Sequence, residues 1–388
     1  MVHFNKKDLK IMKKIRVLHI LDELNTGGAE RIVVSYFQNI DRDCFQWDFI
    51  ITRYADPNKK GLLEPIVEEL GGKIYRVTRK RKNYIKNINE IAKIIKDGNY
   101  DIVHSHLDEL STYYLSAAKK AGVPVRICHS HLAGADRGKA VELLCRYLKP
   151  KLEKTVTDRF ACGIEAGKAL WGDEAVEGGN VYIMRNAIRT DKFYFNQAIR
   201  ERVRTNLGIE GRFAFGTVGR LSYQKNSVFL IEIMKELHKM QPAAILLIVG
   251  EGNQRTTMED LVSRYNLQNN VFFLGSRNDV NEIMMGMDAF LLPSRFEGLP
   301  IVLIEAQCTG LPCLVSDSVT REVKVNGNVK FLPIDNAEKL WAKECAHSLQ
   351  NEYRENAAIH IVEAGYEIKR AAKDLELYYI EALGRCSC

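Results

Sequence analysis

Residues 289–306 read AFLLPSRFEGLPIVLIEA, and this stretch decides the class of the fold. It opens with the apolar, β-rich run Ala289–Ser294, of the kind that is buried on both faces in parallel sheets. Pro300 then suits the first turn of a helix, which carries Glu305 in its second turn. A buried strand that leads through a loop into a helix is the unit of α/β folds, in which ligands bind at the carboxyl ends of the strands.

Similar apolar runs recur along the whole chain, with 3.6-residue apolar spacing between most of them. The strands predicted in the first half are Ile15–Ile20, Phe45–Thr52, Lys73–Val77, Asp101–His106, Arg126–Ser130, Arg159–Gly163 and Val181–Met184. Those predicted in the second half are Phe213–Gly219, Ala244–Gly250, Val271–Gly275, Ala289–Ser294, Pro312–Asp317 and Val329–Ile334. Two such series in tandem predict two doubly wound, Rossmann-like α/β domains.

The chain of 388 residues is longer than one hydrophobic core usually covers. We expect one domain over 1–190 and a second over 191–366, because regular patterning lapses near Asn186–Phe195. The last segment, 367–388, is expected to be a helix that could pack on either domain and can cross back to the first.

Composition excludes several classes of protein. Hydrophobic residues make up 46% and charged residues 27%, as in soluble globular chains and unlike disordered or fibrous ones. There is no apolar run of about 18 residues, and the basic stretch Met1–Lys14 has no apolar core of a secretory signal. Met12 would serve equally well as a start.

The nine cysteines are odd in number and form no C-x-x-C, which indicates free thiols in the cytoplasm.

The positive charge is concentrated in the first half of the chain. Residues 1–190 hold 33 Lys+Arg against 24 Asp+Glu, a net of +9, whereas the remainder has a net of −2. The densest cluster is Arg79, Lys80, Arg81 and Lys82. It predicts contact with an anionic partner such as a membrane surface, and the alternative is an ordinary solvated loop.

Two features stand at strand ends of the first domain. Gly27 and Gly28 follow the first strand and open a helix, so that a ligand could approach the backbone at a positive helix end. The pattern G-x-G-x-x-G is absent, which argues against a dinucleotide. His104 and His106 end the fourth strand on one face, and His129 and His131 end the fifth; they could line a polar cleft, and a metal pair is the less favoured reading. We see no Asp or Glu at these strand ends that would serve as a strong base.

The second domain carries a stronger constellation. Arg220 follows its first strand, and Lys225 lies five residues further on, so that two cations could meet a diphosphate. Glu297 lies in the loop after the fourth strand and Glu305 on the following helix. These carboxylates could bind hydroxyls at the two ends of a sugar–phosphate ligand, with a phosphate at the helix amino terminus.

At this point the sequence resembles the retaining glycosyltransferases of the GT-B fold in family 4, of the bacterial polysaccharide-assembly type. The resemblance spans nearly the whole chain and is strongest over Phe213–Val323, where GTVGRLSYQKN, IVGEG, FFLGSRNDV and LLPSRFEGLPIVLIEA occur in the family's order. The pair Glu297-x7-Glu305 is the family's E-x7-E signature. The loop departs from the usual E-G-F-G, because Leu299 and Pro300 follow Gly298. The resemblance implies two Rossmann-like domains that face each other across a cleft.

The resemblance also implies a role for each residue. Arg220 and Lys225 would neutralise the donor diphosphate, Glu305 would bind the ribose, and Glu297, in the loop with Gly298 and Leu299, would hold the transferred sugar. Gly27 and Gly28 would form the acceptor-side phosphate loop, backbone groups at Arg277 would read the base, and His106 would act in catalysis together with Glu297. Paired cations and a helix dipole stabilise a leaving diphosphate without metal. No metal ion and no cofactor are expected.

The expected reaction is retaining transfer of a hexose or N-acetylhexosamine from a UDP-linked nucleotide sugar to a glycan acceptor. A lipid-linked acceptor for a bacterial surface polysaccharide would place the enzyme in the cytoplasm, on the inner face of the membrane, with no nucleic acid partner. Two alternatives stay open: a UDP-sugar 2-epimerase on the same two-lobe fold, and a non-catalytic nucleotide-sugar binder. Asp41-Arg42-Asp43, the one Asp-x-Asp, precedes a strand and is interpreted as a turn, not as the metal site of a GT-A enzyme.

Overall fold

The computed structural model describes residues 13–25, 27–53, 60–80, 82–131, 139–347, 354 and 356–386. The chain divides into two compact units. The first consists of the described residues of Met1–Ala187 and Ile368–Cys388, and the second is Ile188–Glu367. Each unit is built on one parallel sheet that helices cover.

The strands of the first unit are β1 Ile15–Leu21, β2 Phe45–Ile51, β3 Ile74–Arg76, β4 Ile102–Ser105, β5 Val125–Ser130, β6 Asp158–Ala161 and β7 Tyr182–Ile183. They form a seven-stranded sheet in the order β3-β2-β1-β4-β5-β6-β7. The helices are α1 Gly28–Asn39, α2 Glu64–Glu69, α3 Tyr84–Gly98, α4 Ser111–Lys120, α5 Lys139–Glu153, α6 Ile164–Trp171 and α7 Asp173–Glu177, with a 3-10 turn at Asp108–Leu110.

The strands of the second unit are β8 Ala214–Val218, β9 Ile245–Val249, β10 Val271–Gly275, β11 Ala289–Leu292, β12 Cys313–Ser316 and β13 Val329–Leu332. They form a six-stranded sheet in the order β10-β9-β8-β11-β12-β13. The helices are α8 Thr190–Phe193, α9 Gln197–Leu207, α10 Ser227–Met240, α11 Arg255–Arg264, α12 Val280–Gly286, α13 Ile301–Cys308, α14 Glu338–His347 and α15 Ala357–Glu363, with a 3-10 turn at Arg321–Val323.

All thirteen predicted strands are present, with bounds that differ by at most two residues. The two doubly wound domains are therefore confirmed. The apolar runs become central strands because both of their faces are covered: Phe215, Leu246 and Leu291 of the second sheet are fully buried in one core with Trp341 of α14.

The last helix, α16 Ile368–Cys386, packs on the first unit. The backbone N–H of Asp41 donates to Glu376 Oε1 at 2.7 Å, and the Tyr378 hydroxyl donates to Asp158 Oδ1 at 2.8 Å. Tyr379 lies fully buried under the sheet. The end of the chain thus returns to the first unit.

Both sheets reverse their strand order at one place, between β1 and β4 in the first and between β8 and β11 in the second. Loops that leave neighbouring strands in opposite directions at such a point open a crevice for a ligand. The segments that carry Gly27 and Gly28, His106, Arg220 and Lys225, and Glu297 all follow these four strands.

Candidate active site

The loops after β8 and β11 are joined by three hydrogen bonds. The Arg295 backbone N–H donates to Gln224 O at 2.8 Å, and Arg295 Nη2 donates to Asn226 Oδ1 at 3.0 Å. Gln224 Nε2 donates to Phe296 O at 3.2 Å. The sequence analysis missed Gln224, Asn226 and Arg295 as site residues, although all three lie inside the motifs. Their residue types alone do not say which side chains connect the two loops.

The hydrogen bonds between these two loops bring Lys225 and Glu297 together. Lys225 Nζ lies 2.6 Å from Glu297 Oε1, and only 8% of the Glu297 side chain is exposed. Partial burial strengthens the attraction and raises the cost of leaving either charge alone. A predicted diphosphate-binding cation and a predicted sugar-binding carboxylate are therefore ion-paired with each other.

Arg220 is exposed and makes no ion pair with any residue that the structure describes. The backbone beside it is tightly packed. Gly250 at the end of β9 has φ +134°, and a Cβ there would lie 2.0 Å from Gly219 O. The N–H of Leu221 donates to Glu251 O at 3.0 Å. The segment around Arg220 is thus fixed by its neighbours while its guanidinium faces outward.

Glu305 lies in the second turn of α13 and is partly exposed. Pro300 caps this helix, Leu299 before it is 7% exposed, and Gly298 is partly exposed. Burial raises the pKa of Cys308 to about 12, and the charge of Glu305 adds to that rise. Leu299 is buried and anchors the loop in the core. Gly298, which precedes it in the sequence, and Glu305, which follows it, are both partly exposed.

Arg277 follows β10 at the edge of the second sheet. Its Nε and Nη2 donate to the two carboxylate oxygens of Asp279 at 2.8 and 2.6 Å. These hydrogen bonds raise the pKa of Arg277 and lower that of Asp279. The Arg277 guanidinium is therefore paired within the chain. The prediction for this position is that its backbone groups, not its side chain, bind the nucleotide base.

Gly27 caps α1, and Gly28 is its first residue. A Cβ on Gly28 would meet no atom within 4 Å, whereas one on Gly27 would lie 2.1 Å from Glu30 Oε2. The space over Gly28 is open within the first unit. A ligand could therefore approach the backbone there.

Five histidines cluster on one face of the first sheet: His19, His104, His106, His129 and His131. His19 and His104 are paired across β1 and β4, and the others follow by strand alternation. His106 Nε2 lies 3.0 Å from His19 Nδ1, and His106 Nδ1 lies 2.9 Å from His131 Nε2. His104 Nδ1 lies 2.8 Å from the Tyr379 hydroxyl. The sequence analysis missed His19, because a single histidine in a strand core carries no motif.

Burial lowers the pKa of every histidine in this cluster, to about 3 for His19 and about 4 for His131. The rings are therefore neutral at physiological pH. Two overlapping sets, one of His19, His104 and His106 and one of His106, His129 and His131, have nitrogens within 4.8 Å of one another. Such sets could hold a metal ion or form hydrogen bonds.

Two carboxylates lie just beyond strand ends of the first unit, where the sequence analysis saw none that would serve as a strong base. Asp22 follows β1, accepts from the Thr52 hydroxyl at 2.8 Å and lies 3.7 Å from Lys80 Nζ. Asp108 follows β4, and its Oδ1 accepts from the backbone N–H of His131 at 3.3 Å. Strand-end positions are hard to see in sequence because a loop can place a carboxylate one or three residues beyond the strand.

The basic cluster is only partly a surface feature. Lys80 is paired with Asp22, and burial lowers its pKa. Lys82 is exposed, and Arg81 lies outside the described residues. Elsewhere in the first unit, α5 exposes Leu143 (69%) and Tyr147 (62%). No helix among the described residues is long and apolar enough to span a bilayer.

Comparisons with known proteins agree along the chain. The family described as Glycosyl transferases group 1 matches residues 199–367, and Glycosyltransferase Family 4 matches residues 26–192. The putative glycosyltransferase EpsF of Bacillus subtilis is 32% identical over 341 residues, 86% of this chain and 87% of EpsF.

A second relative is the UDP-Gal:alpha-D-GlcNAc-diphosphoundecaprenol alpha-1,3-galactosyltransferase of Escherichia coli, 29% identical over 81% of each chain. Among solved structures, Anabaena HepE in complex with UDP and glucose superimposes with a TM-score of 0.77 at 15% identity, over 94% of this chain and 99% of HepE. The resemblance found in the sequence is thereby confirmed. The chain belongs to the glycosyltransferases of the group 1 and family 4 type, and its domains have the GT-B fold.

Proposed function

We propose that this glycosyltransferase moves a hexose or N-acetylhexosamine from a UDP-linked sugar to a lipid-linked glycan, with retention at the anomeric carbon, during synthesis of a bacterial surface polysaccharide. The observation that carries the donor half is the joined pair of loops after β8 and β11, with Lys225 and Glu297 2.6 Å apart and Arg220 exposed beside them.

The donor binds on the second unit in this proposal. Arg220 and Lys225 neutralise the diphosphate as the glycosyl–phosphate bond breaks, which stabilises the leaving group where its charge develops. Glu305 accepts hydrogen bonds from the ribose hydroxyls, and Glu297 holds the transferred sugar. Backbone groups at Arg277 bind the base, and the loop at Gly298 and Leu299 completes the donor site.

The acceptor binds on the first unit. The open space over Gly28 and the neighbouring Gly27 suits a phosphate group. His106, a member of the histidine cluster, acts in catalysis. The Escherichia coli relative, whose name states a diphosphoundecaprenol acceptor and a UDP-galactose donor, supports the same substrate classes here. Retention, transfer without metal and the absence of a cofactor follow from the family resemblance.

A membrane-bound acceptor calls for contact with the inner leaflet. The exposed Leu143 and Tyr147 of α5 lie among Lys139, Arg146 and Lys151, which are also exposed. Apolar side chains within a basic helix suit an anionic bilayer surface. This face and the cluster Arg79, Lys80, Arg81 and Lys82 together support a peripheral location on the cytoplasmic side.

The transfer assay combines the purified protein with a panel of UDP-sugars and undecaprenyl-diphosphate-linked glycans. We expect one pair to give an extended lipid product with the α-anomer of the donor. A product with inverted configuration would contradict retention. Donor binding without product or hydrolysis over the whole panel would indicate a non-catalytic binder.

A UDP-sugar 2-epimerase is the competing activity, and the carboxylates Asp22 and Asp108 at strand ends are the observation that favours it. The same reactions separate the two, because an epimerase forms a 2-epimer from the UDP-sugar with no acceptor present. We expect no epimer, since both carboxylates are engaged: Asp22 with Thr52, and Asp108 with the backbone of His131.

A further inference from the structure

Three imidazole rings meet at the outer end of the histidine cluster in the first unit. The ring centroids of His129 and His131 lie 4.0 Å apart, and each lies 5.2 Å from the centroid of His106. One nitrogen from each of these rings lies within 4.8 Å of the other two. His129 belongs to β5 and His131 directly follows it, whereas His106 follows the neighbouring strand β4. The three rings therefore offer a compact set of nitrogens at the edge where these strands end.

His129 is the member of this set that the rest of the protein leaves unsatisfied. It is fully buried, and neither of its ring nitrogens has a hydrogen-bond partner among the described residues. Buried polar groups without a partner are costly and therefore few in native proteins. Phe160 packs edge-on against the same ring at 5.8 Å, so a hydrocarbon ring would suit these surroundings better. The imidazole at this position indicates a ligand that binds through nitrogen.

His106 and His131 already have nearly the spacing of two ligands of one metal ion. His106 Nδ1 lies 2.9 Å from His131 Nε2. Two nitrogens that bind one tetrahedral zinc ion at about 2.0–2.1 Å lie roughly 3.3 Å apart, so a small shift of the rings is sufficient. The other nitrogen of His106 lies 3.0 Å from His19 Nδ1. His19 would thus hold the ring of a metal-bound His106, as outer partners of metal-binding histidines do.

The surroundings of the three rings suit a dication. Burial lowers the pKa of all three histidines, to about 4 for His131, so their lone pairs are free of protons at physiological pH. Asp108 Oδ1 accepts from the His131 backbone N–H at 3.3 Å and places a negative charge beside the set. His131 is partly exposed, whereas His106 and His129 are buried. An ion can therefore reach the set from the side of His131.

We propose that His106, His129 and His131 form a binding site for a divalent transition metal ion, with zinc as the ion bound, and that zinc at this site inhibits sugar transfer. Three imidazole nitrogens suit Zn²⁺, whereas Mg²⁺ and Mn²⁺ prefer oxygen ligands. The metal site stands independently of the proposed function. The inhibition rests on that function, because an ion on Nδ1 takes His106 out of the transfer reaction. The metal-free protein is then the active form.

The first arm of the test measures zinc binding by calorimetry, with untagged protein that has been freed of metal by EDTA and gel filtration. We expect one ion per chain. His129→Phe, which keeps a ring beside Phe160, and His131→Asn, which changes a partly exposed residue, should each weaken binding by at least about 100-fold, since even the loss of an outer partner costs 10- to 100-fold.

His360→Ala is the matched control for zinc binding, because His360 is an exposed histidine of the second unit that lies 3.9 Å from Glu363. It should bind zinc as the wild type does. Thermal unfolding in EDTA verifies that the variants are folded, and either of the two site variants is sufficient for the comparison. Added zinc should raise the unfolding temperature of the wild type and of His360→Ala, and not that of His129→Phe.

The second arm uses Co²⁺ as a probe of the ligands. A tetrahedral Co²⁺ ion with nitrogen ligands absorbs in the visible range, and a thiolate ligand adds an intense charge-transfer band in the near ultraviolet. We expect the visible bands alone, because none of the nine cysteines belongs to the proposed site. His129→Phe should abolish these bands.

The third arm compares transfer rates with and without zinc in each protein, so that a change in basal activity cancels in the ratio. At free zinc of about ten times the dissociation constant, the wild-type rate should fall about 10-fold, in proportion to the metal-free fraction. EDTA should restore the rate, and Mg²⁺ at the same concentration should have no effect. The ratio should be near one in His129→Phe.

The metal site would be overturned by a wild type that binds no zinc, by equal zinc affinity in His129→Phe and the wild type, or by a thiolate band in the Co²⁺ spectrum. Transfer that continues unchanged with the site filled would overturn the inhibition. If the wild type transfers no sugar in the absence of zinc, the proposed function fails, and the two binding arms still decide the metal site.

Discussion

Lys225 Nζ contacts Glu297 Oε1 at 2.6 Å, and the lysine side chain is 22% exposed and the glutamate side chain 8%. Without a bound donor, the positive charge of Lys225 and the negative charge of Glu297 neutralise each other. In the proposed donor site an incoming diphosphate would share or take over Lys225, and Glu297 would be released towards the sugar hydroxyls at the same time. Under that proposal, donor binding and the placement of the Glu297 carboxylate would be coupled through this one contact.

The strength of the contact between Lys225 and Glu297 is measurable in a double-mutant cycle. Lys225→Met and Glu297→Gln should each destabilise the protein, because each leaves one partly buried charge without its partner. The double variant should lose less than the sum, with a coupling of about 0.5–3 kcal/mol in the free energy of unfolding. Additive losses in urea unfolding would mean that the contact is energetically silent.

The two carboxylates of the E-x7-E signature should separate binding from turnover. Glu305→Ala should weaken UDP binding by about 1.5–3 kcal/mol in calorimetry, as expected for a charged hydrogen bond. Glu297→Ala should depress kcat more than UDP affinity. Glu344→Ala, which removes a surface carboxylate paired with Lys330 in the same unit, is the control. Equal UDP affinity in all three variants would remove Glu305 from the donor site.

Transfer should survive chelation. Arg220 and Lys225 are the cations in the proposed donor site, so EDTA should leave kcat nearly unchanged, and Mn²⁺ should not increase it. Lys225→Ala should lower activity whether or not Mn²⁺ is added. Loss of activity in EDTA with recovery in Mn²⁺ would show that an ion, and not these side chains, neutralises the diphosphate.

Stability should fall as the pH drops below the ordinary pKa of histidine. Burial lowers the pKa of His19 to about 3 and of His131 to about 4, so in the window from these values up to about 6.5 the unfolded chain binds protons that the folded chain does not. Each such histidine removes about 1.4 kcal/mol per pH unit over that window and nothing above it. Urea unfolding from pH 7.5 to 5 measures the slope, and His131→Asn should reduce it.

Binding to anionic liposomes should depend on α5. We expect Leu143→Ser with Tyr147→Ser to reduce co-sedimentation, since buried apolar area anchors a peripheral helix. Replacement of Arg79, Arg81 and Lys82 by Ser should weaken binding mainly at low salt; Lys80 is left intact because it pairs with Asp22.

Ile359→Ser, which changes an exposed apolar residue of the second unit, is the control for the liposome experiment. Equal pelleting of all variants, or none by the wild type, would contradict the membrane contact. Neither result would affect the transfer assay.

The sequence by itself determined the strands, the two doubly wound domains and the family. Apolar runs such as Ile245–Val249 predict strands that are buried on both faces. The strand, loop and helix that carry Glu297 and Glu305 are formed by consecutive residues, so their motif is visible in the sequence. These features are local, because period and motif spacing are properties of neighbouring residues.

Only the tertiary structure decided which distant side chains meet. Lys225 pairs with Glu297 because β8 and β11 are neighbours in the sheet. His19 joins His106 because β1 lies beside β4. Lys80 turns inward to Asp22, although its neighbours in sequence suggested a surface cation. A contact between residues tens of positions apart depends on strand order and register, and the local pattern of a single sequence carries neither.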